Sequence, residues 1–309
     1  MKDYIWYEKY RPKKLNDLVL PKAHKKTFRQ FIKAREIPHL LFYGPPGSGK
    51  TTLANIFIKK CASASLLLSA SAEDRGINTI KKRVNQFARS MRKGKKKLKV
   101  AFFDEANGLT PEAQEALKNT IEKNQKNCRF IFTTNEFDKI TPPIVSRCRV
   151  FKFDAFPKTD LSIYLQKILK KEDVDYKDKD LKKIIKMYYP DIRTIMNNVQ
   201  ACSMSGKLNI KEVLTTLDTR LMKKYIDGGL IFALRHMFTG ASDFLWVYRW
   251  LFNDYIWTMP KDAKGEAALI VADYLHRDKT IPDKEVNLSA CCIELMNLLD
   301  VDLDFDVPF

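Results

Sequence analysis

The segment Gly44-Pro45-Pro46-Gly47-Ser48-Gly49-Lys50-Thr51 follows the apolar run Leu40-Leu41-Phe42-Tyr43 and precedes a helix predicted to extend to about Ile58. It has the spacing of a phosphate-binding loop, in which a strand passes through a glycine-rich turn into a helix. Such a turn directs successive backbone N–H groups and a helix N-terminus at one anion. We therefore predict a phosphate site formed by Gly44, Pro45, Pro46, Gly47, Ser48, Gly49, Lys50, Thr51 and Thr52.

Two further strands end in polar residues that suit the chemistry of a nucleoside triphosphate. In a loop of this kind Lys50 reaches the β- and γ-phosphates, and the Thr51 hydroxyl lies on Mg²⁺. The run Val100-Ala101-Phe102-Phe103 leads into Asp104-Glu105. This pattern places one carboxylate near Mg²⁺ and the next near the water that attacks the γ-phosphate. Asn135, which also follows an apolar strand, can orient that water.

The first half of the chain alternates between apolar strands and amphipathic helices. This alternation predicts an α/β fold with a mostly parallel sheet, strands buried on both faces, and ligands at the carboxyl ends of the strands. Residues 8–12 are predicted to form an irregular N-terminal arm. Further predicted elements are helices over 22–37, 78–91 and 111–123, and strands over 40–43, 66–69, 98–103 and 129–134.

After Pro157 the pattern changes to helices alone. Asp191 is a plausible N-cap of one of them, with Arg193 in its first turn. A helix over 241–257 is apolar around most of its circumference, so it should be buried in its own domain or in a subunit interface. We expect three domains: a sheet domain over 1–155, a small helical lid over 156–218 and a helical collar over 219–309.

The positive charge is concentrated in the first of these domains. The chain of 309 residues has a formal net charge of +18; residues 1–155 hold 33 Lys and Arg against 14 Asp and Glu, and the remainder holds 22 against 23. A basic domain beside a near-neutral one suggests a polyanion partner for the first and protein partners for the second.

Composition also bears on the compartment. No apolar run approaches the eighteen residues that a membrane helix needs, and the first residues lack the apolar segment of a secretion signal. The six cysteines show no C-x₂-C spacing, which argues against a zinc site. We expect a protein of a reducing cytoplasm, or of the host cytoplasm if its source is viral, with no membrane partner.

Taken together, these motifs resemble the AAA+ ATPases of sliding-clamp loaders, in particular the small-subunit type of replication factor C and its tailed-phage equivalents. The resemblance is dense over the first two hundred residues and sparser beyond. Two positions depart from the usual pattern: Asn107 replaces an aspartate, and Pro190 replaces a glycine. The motifs that carry it are Lys9-Tyr10-Arg11-Pro12, Ile37 to Gly47, Arg75-Gly76-Ile77, Asp104-Glu105, Ala113-Gln114, Thr134-Asn135, Ser146-Arg147-Cys148 and Pro190-Asp191-Ile192-Arg193.

The resemblance implies a role for individual residues. Arg147 corresponds to an arginine finger that reaches a neighbouring subunit's ATP, and Arg193 and Asn135 to contacts with the γ-phosphate of the chain's own ATP. Gln114 matches a position thought to link DNA contact to the catalytic glutamate, here Glu105. Tyr10 and Arg11 would lie near the nucleotide. Residues that would contact the backbone of duplex DNA are Arg75, Lys81 and Lys82.

The resemblance therefore predicts an AAA+ ATPase with a helical lid and collar that uses ATP and Mg²⁺. It would open a sliding clamp, place it on primer–template DNA and release it on hydrolysis, alongside copies of itself and a divergent loader subunit. Other AAA+ DNA remodellers, such as a helicase loader or a branch-migration motor, fit the Ser-Arg-Cys and Lys-Tyr-Arg-Pro motifs less well. A P-loop kinase would transfer phosphate to an acceptor without DNA stimulation. A subunit that only binds nucleotide is disfavoured by the intact set of Lys50, Asp104 and Glu105.

Overall fold

The computed structural model describes residues 5–69, 76–90, 98–153, 156–209, 219–238, 244–278 and 280–304. The chain divides into two compact units, one made of Met1–Asp175 and Tyr188–Gln200, the other of Tyr176–Met187 and Ala201–Phe309. The three-domain division, with boundaries after residues 155 and 218, stays a prediction.

The first unit is built on a sheet of five parallel strands in the order β2-β3-β4-β1-β5. Because all strands run the same way, their carboxyl ends meet at one edge, where ligands bind in folds of this type. The predicted α/β class with a parallel sheet is therefore confirmed. The strands are β1 (Leu40–Tyr43), β2 (Ala62–Ser69), β3 (Leu98–Asp104), β4 (Cys128–Thr134) and β5 (Arg149–Lys152).

Helices cover the sheet and form most of the second unit. Helix α4, residues 77–89, is continuous but has wider, π-type turns over Ile80–Val84. The others in the first unit are α1 (Trp6–Lys9), α2 (Lys22–Ala34), α3 (Lys50–Cys61), α5 (Pro111–Asn124), α6 (Pro142–Val145), α7 (Lys158–Lys171) and α9 (Ile192–Ala201). In the second unit are α8 (Asp178–Tyr188, whose last residue belongs to the first unit), α10 (Thr219–Asp227), α11 (Ile231–Phe238), α12 (Leu245–Trp250), α13 (Lys264–Arg277) and α14 (Lys284–Leu298).

The sheet separates two apolar cores, because neighbouring side chains of a strand point to opposite faces. Phe42 and Phe102 belong to one core, together with Phe28 and Phe57 from the helices. Leu41 and Phe103 belong to the other. This packing holds the carboxyl ends of β1, β3 and β4 in fixed register, and these are the ends that the sequence predicts to be functional.

Three local predictions were wrong. The irregular arm predicted over residues 8–12 begins within a helical turn, residues 6–9, because the Trp6 side chain is buried and the Trp6 backbone N–H donates to the Gln200 side chain. Helix α2 ends at Ala34, since Arg35 takes a left-handed backbone conformation. Strand β2 lies at the sheet edge, so Leu67 is 60 % exposed although strands were predicted to be buried on both faces.

The long apolar helix is buried only in part within its own unit. It continues from α12 through Leu251–Tyr255 and Ile256–Thr258, while residues 241–243 lie outside the described residues. Tyr248 is buried, as expected, but Phe252 and Trp257 are 44 % and 64 % exposed. Its apolar surface is therefore only partly used within its own unit. No helix in the described ranges is both long and apolar enough for a membrane crossing.

Candidate nucleotide site

A pocket opens at the carboxyl edge of the sheet, within the first unit. The phosphate loop, the ends of β3 and β4, the segment around α1 and the start of α9 all contribute to it. Its apolar lining includes Leu18, Val19, Ile192 and Met196, which suits a nucleobase. The predicted residues that line it are Arg11, Pro46, Gly47, Ser48, Gly49, Lys50, Thr51, Thr52, Asp104, Glu105, Asn135 and Arg193.

Close contacts require glycine at two positions of the phosphate loop. Gly44 and Gly47 have φ angles of +145° and +69°. A Cβ atom on Gly44 would lie 2.1 Å from the Phe153 carbonyl oxygen, and one on Gly47 would lie 1.9 Å from Oδ1 of Asp191. Both distances are too short for any side chain. The loop is therefore packed between the end of β5 and the start of α9.

Lys50 is buried at the base of this loop. Its ammonium donates hydrogen bonds to the carbonyl oxygens of Gly44 and Pro45, at 2.8 and 2.7 Å, and to the Ser48 hydroxyl at 3.4 Å. Gly44 and Pro45 thus contribute to the site through carbonyl groups that hold the lysine. Burial lowers the pKa of Lys50 to about 8, an effect that nearby Asp104 partly opposes.

The Asp104 carboxylate joins the two sides of the pocket. Its Oδ1 accepts hydrogen bonds from the hydroxyls of Thr51 on α3, at 2.8 Å, and of Thr133 on β4, at 2.5 Å. The Thr133 hydroxyl in turn accepts a hydrogen bond from the Glu105 N–H at 3.1 Å. Thr133 was missed by the sequence reasoning, because only the pairing of β3 with β4 places it beside Asp104.

The Thr51 and Asp104 oxygens fit Mg²⁺. In an octahedral site with ligand distances of 2.0–2.1 Å, adjacent ligand oxygens lie about 2.9 Å apart, close to the observed 2.8 Å. Across the described ranges, no three His, Cys, Asp or Glu side chains cluster as a metal site. Proteins usually hold Mg²⁺ through one or two side chains and substrate phosphates, and Thr51 and Asp104 provide two such side chains.

Glu105 and Asn135 extend from strand ends into the same pocket, and both are exposed. Glu105 follows β3 with a left-handed backbone, φ +57°, which turns the chain sharply after Asp104. The turn separates the two adjacent carboxylates, so that they can serve different roles. Asn135 follows β4 and is positioned by that strand.

One side of the pocket is formed by the start of α9. The Asp191 side chain accepts a hydrogen bond from the Thr194 N–H at 3.1 Å, which confirms the predicted N-cap. Arg193 lies in the first turn of this helix, and its guanidinium is 5.6 Å from the centre of the Tyr7 ring. Tyr7 also lines the pocket but was missed, because residues near it were expected to be irregular.

Arg11 and Tyr10 have different positions. Arg11 lines the pocket and donates from Nε to the Thr52 hydroxyl at 3.2 Å. Tyr10 does not line it: its hydroxyl donates to Glu172, which also pairs with Lys9 at 2.7 Å. Tyr10 therefore fixes the arm against the segment that follows α7.

Comparison with known proteins gives a consistent assignment. The family described as "ATPase family associated with various cellular activities (AAA)" matches residues 40–154. The replication factor C small subunit 1 of Pyrobaculum islandicum is 32% identical over 94% of this chain and 93% of its own length. The replication factor C small subunit of Aeropyrum pernix is 34% identical over 93% of this chain and 94% of its own length. The chain belongs to the replication factor C small-subunit family.

This membership confirms the resemblance drawn from the motifs, to small-subunit-type AAA+ clamp loaders, and it makes the chain an ATPase. A solved structure of the Thermotoga maritima RuvB Holliday junction branch migration motor is also similar, with a TM-score of 0.57 at 22% identity. It covers 79% of this chain and 92% of that one. At this identity the likeness shows the fold alone.

Arg147, Lys81, Lys82 and Gln114 do not line the pocket. The Arg147 guanidinium is held by Glu122 on α5 and by the Pro143 carbonyl. Lys81, on α4, lines a groove between α4 and α5, and Lys82 is exposed beside it. Arg75 lies outside the described residues.

Gln114 is buried and connects three backbone segments. Its amide nitrogen donates to the carbonyl oxygens of Leu109 and Lys139, and its oxygen accepts from the Thr141 N–H at 2.8 Å. These bonds join α5 to the segment that enters α6. Gln114 therefore holds the backbone at Lys139 and Thr141, just before the short helix α6 that leads to Arg147.

The lowered pKa of Lys50 leads to a testable prediction. Triphosphate binding would raise this pKa again, because the nearby negative charge favours the ammonium form. The affinity for the triphosphate should then be highest below pH 8, where Lys50 is already protonated, and fall as the pH rises above 8. At pH 8 binding should take up about half a proton per site, measured by calorimetry in buffers of different ionisation enthalpy.

The control is Lys50→Arg, which keeps the charge but does not titrate in this range. It should bind nucleotide without this proton uptake. Equal proton uptake by both proteins, or none by either, would contradict the assignment of the titrating group to Lys50.

Proposed function

We propose that this chain is a clamp-loader subunit that uses ATP to open a DNA sliding clamp and place it on primer–template DNA, and that hydrolysis triggers release. The observation that carries the proposal is the joint position of Lys50, Thr51, Asp104 and Glu105 around one pocket. Relatives named replication factor C small subunit, aligned over more than nine-tenths of the chain, support the assignment to clamp loading.

The pocket residues divide the chemistry among them. Backbone N–H groups of the loop and the Lys50 ammonium bind the phosphates, and Thr51 and Asp104 hold Mg²⁺. When bound, Mg²⁺ neutralises charge on the phosphate oxygens. Glu105 accepts a proton from the attacking water, which Asn135 orients. Arg193 contributes a positive charge at the γ-phosphate from the lid side.

Arg147 acts on a neighbouring subunit's nucleotide. Support comes from its position: the guanidinium is absent from the lining of its own pocket and lies at the surface, where a second subunit can approach. Gln114 couples this segment to α5, whose groove with α4 contains Lys81. A movement of α4 and α5 on DNA binding would therefore be transmitted through Gln114 to the segment that precedes Arg147.

The partners follow from charge and exposed apolar surface. The basic first 155 residues suit the phosphates of primer–template DNA, which Arg75, Lys81 and Lys82 contact. The exposed Phe252 and Trp257 suit contacts with other subunits, both copies of this chain and a divergent loader subunit. The sliding clamp is the protein partner loaded.

The trans role of Arg147 predicts complementary defects. Arg147→Ala should keep ATP binding in its own subunit while hydrolysis falls by a factor on the order of 10³. Lys50→Ala should weaken nucleotide binding in the subunit that carries it. Mixing the two variants should restore part of the ATPase activity, because some interfaces would then pair a normal Lys50 with a normal Arg147.

The mixture is compared with each variant alone at the same total concentration, after time for subunit exchange. If Arg147→Ala hydrolyses ATP at the normal rate in the full assembly, or fails to bind ATP as a monomer, the trans assignment is wrong.

The proposed DNA contacts predict a change in salt dependence. Replacing Lys81 and Lys82 by Ala should weaken DNA binding for every sequence alike, and reduce the slope of log affinity against log salt by about one unit per lost contact. Fluorescence anisotropy over a salt series gives this slope. Lys60→Ala removes an exposed lysine from α3 and serves as the control. A changed sequence preference would show that base edges are read instead.

A further inference from the structure

The arginine that would serve a neighbour's nucleotide is engaged within its own chain. Nε of Arg147 donates to Oε1 of Glu122 at 3.1 Å, and its NH2 group contacts the same oxygen. Its NH1 group donates to the Pro143 carbonyl oxygen at 2.7 Å and to the Ser146 hydroxyl at 3.3 Å. Four hydrogen bonds therefore use four of the five N–H groups of the guanidinium.

This arrangement competes with phosphate binding. An arginine binds a phosphate best through two parallel N–H donors, which here would have to come from groups that Glu122 and Pro143 occupy. A carboxylate and a phosphate are also alternative anionic partners for one cation. Arg147 cannot make a bidentate contact with a neighbour's γ-phosphate until it leaves Glu122.

The backbone around Arg147 is fixed independently of this ion pair. Gln114, on the same helix as Glu122, accepts a hydrogen bond from the Thr141 N–H and donates to the Lys139 carbonyl. The segment entering α6 is thus attached to α5 at Gln114, while the side chain is attached at Glu122. Exchange of Arg147 between Glu122 and a phosphate then requires mainly a rotation of its side chain.

We propose that Glu122 is a positioning residue that holds Arg147 away from the neighbouring nucleotide until the assembly closes. This rests on the proposed trans role of Arg147. The Glu122 side chain is 50% exposed, so the pair is weak enough to be displaced. The nearby guanidinium also keeps the pKa of this carboxyl below its ordinary value, so Glu122 is charged at neutral pH.

The test is the ATPase rate of the full assembly without DNA or clamp, at saturating ATP. Glu122→Gln should raise this unstimulated rate by about 1.5-fold to fivefold, the range over which loss of an exposed ion pair frees the arginine. The rate at saturating DNA and clamp should stay unchanged, because Arg147 is then already engaged. Glu122→Asp, which keeps the charge on a shorter side chain, should give an intermediate rate and serves if Glu122→Gln does not fold.

Two controls distinguish the proposed role of Glu122 from the proposed trans role of Arg147. Glu36→Gln breaks another exposed pair, with Arg129 at 3.5 Å, and should change neither rate. In an Arg147→Ala background, Glu122→Gln should have no effect. If Glu122→Gln leaves the unstimulated rate unchanged, or lowers it towards that of Arg147→Ala, the inference is wrong while the trans role stands. Normal hydrolysis by Arg147→Ala would instead remove the trans role itself.

Discussion

The Asp104 carboxylate is the interaction on which the arrangement of the site depends. One of its oxygens accepts hydrogen bonds from Thr51 at the start of α3 and from Thr133 near the end of β4. It thereby joins the phosphate loop to two neighbouring strands. Hydrogen bonds to a carboxylate are stronger than those between neutral groups. The Thr133 hydroxyl also accepts a hydrogen bond from the Glu105 N–H, so the same network fixes the backbone at Glu105. One connected hydrogen-bond network therefore positions the proposed metal ligand, Asp104, and the proposed catalytic base, Glu105.

The phosphate loop places a second constraint on the chain. Gly47 has no room for a Cβ atom because Asp191, the N-cap of α9, lies directly against it. The same helix carries Arg193 into the pocket. If the loop shifts on nucleotide binding, the start of α9 must move with it, because Gly47 and Asp191 are in close contact within the first unit.

The sequence predicted those parts of the site that depend on short segments. The loop, the Asp104-Glu105 pair, Asn135 and the Asp191 cap each follow from a local pattern. Thr133 and Tyr7 could not be found this way, because their position depends on which strands pair and on burial of Trp6. The exposure of Leu67 was missed for the same reason, because an apolar strand has the same sequence pattern at the centre and at the edge of a sheet. Tyr10 matches a motif near the nucleotide, but Glu172, distant in sequence, holds its hydroxyl outside the pocket lining.

The proposed clamp-loader function requires ATP hydrolysis in this chain to be coupled to a clamp and to primed DNA. The most direct test is the steady-state ATPase rate of the assembly in four conditions: alone, with a sliding clamp, with primed DNA, and with both. We expect a sliding clamp and primed DNA together to raise the rate above the sum of their separate effects. Equal rates in all four conditions, or phosphoryl transfer to a small acceptor without DNA dependence, would contradict it.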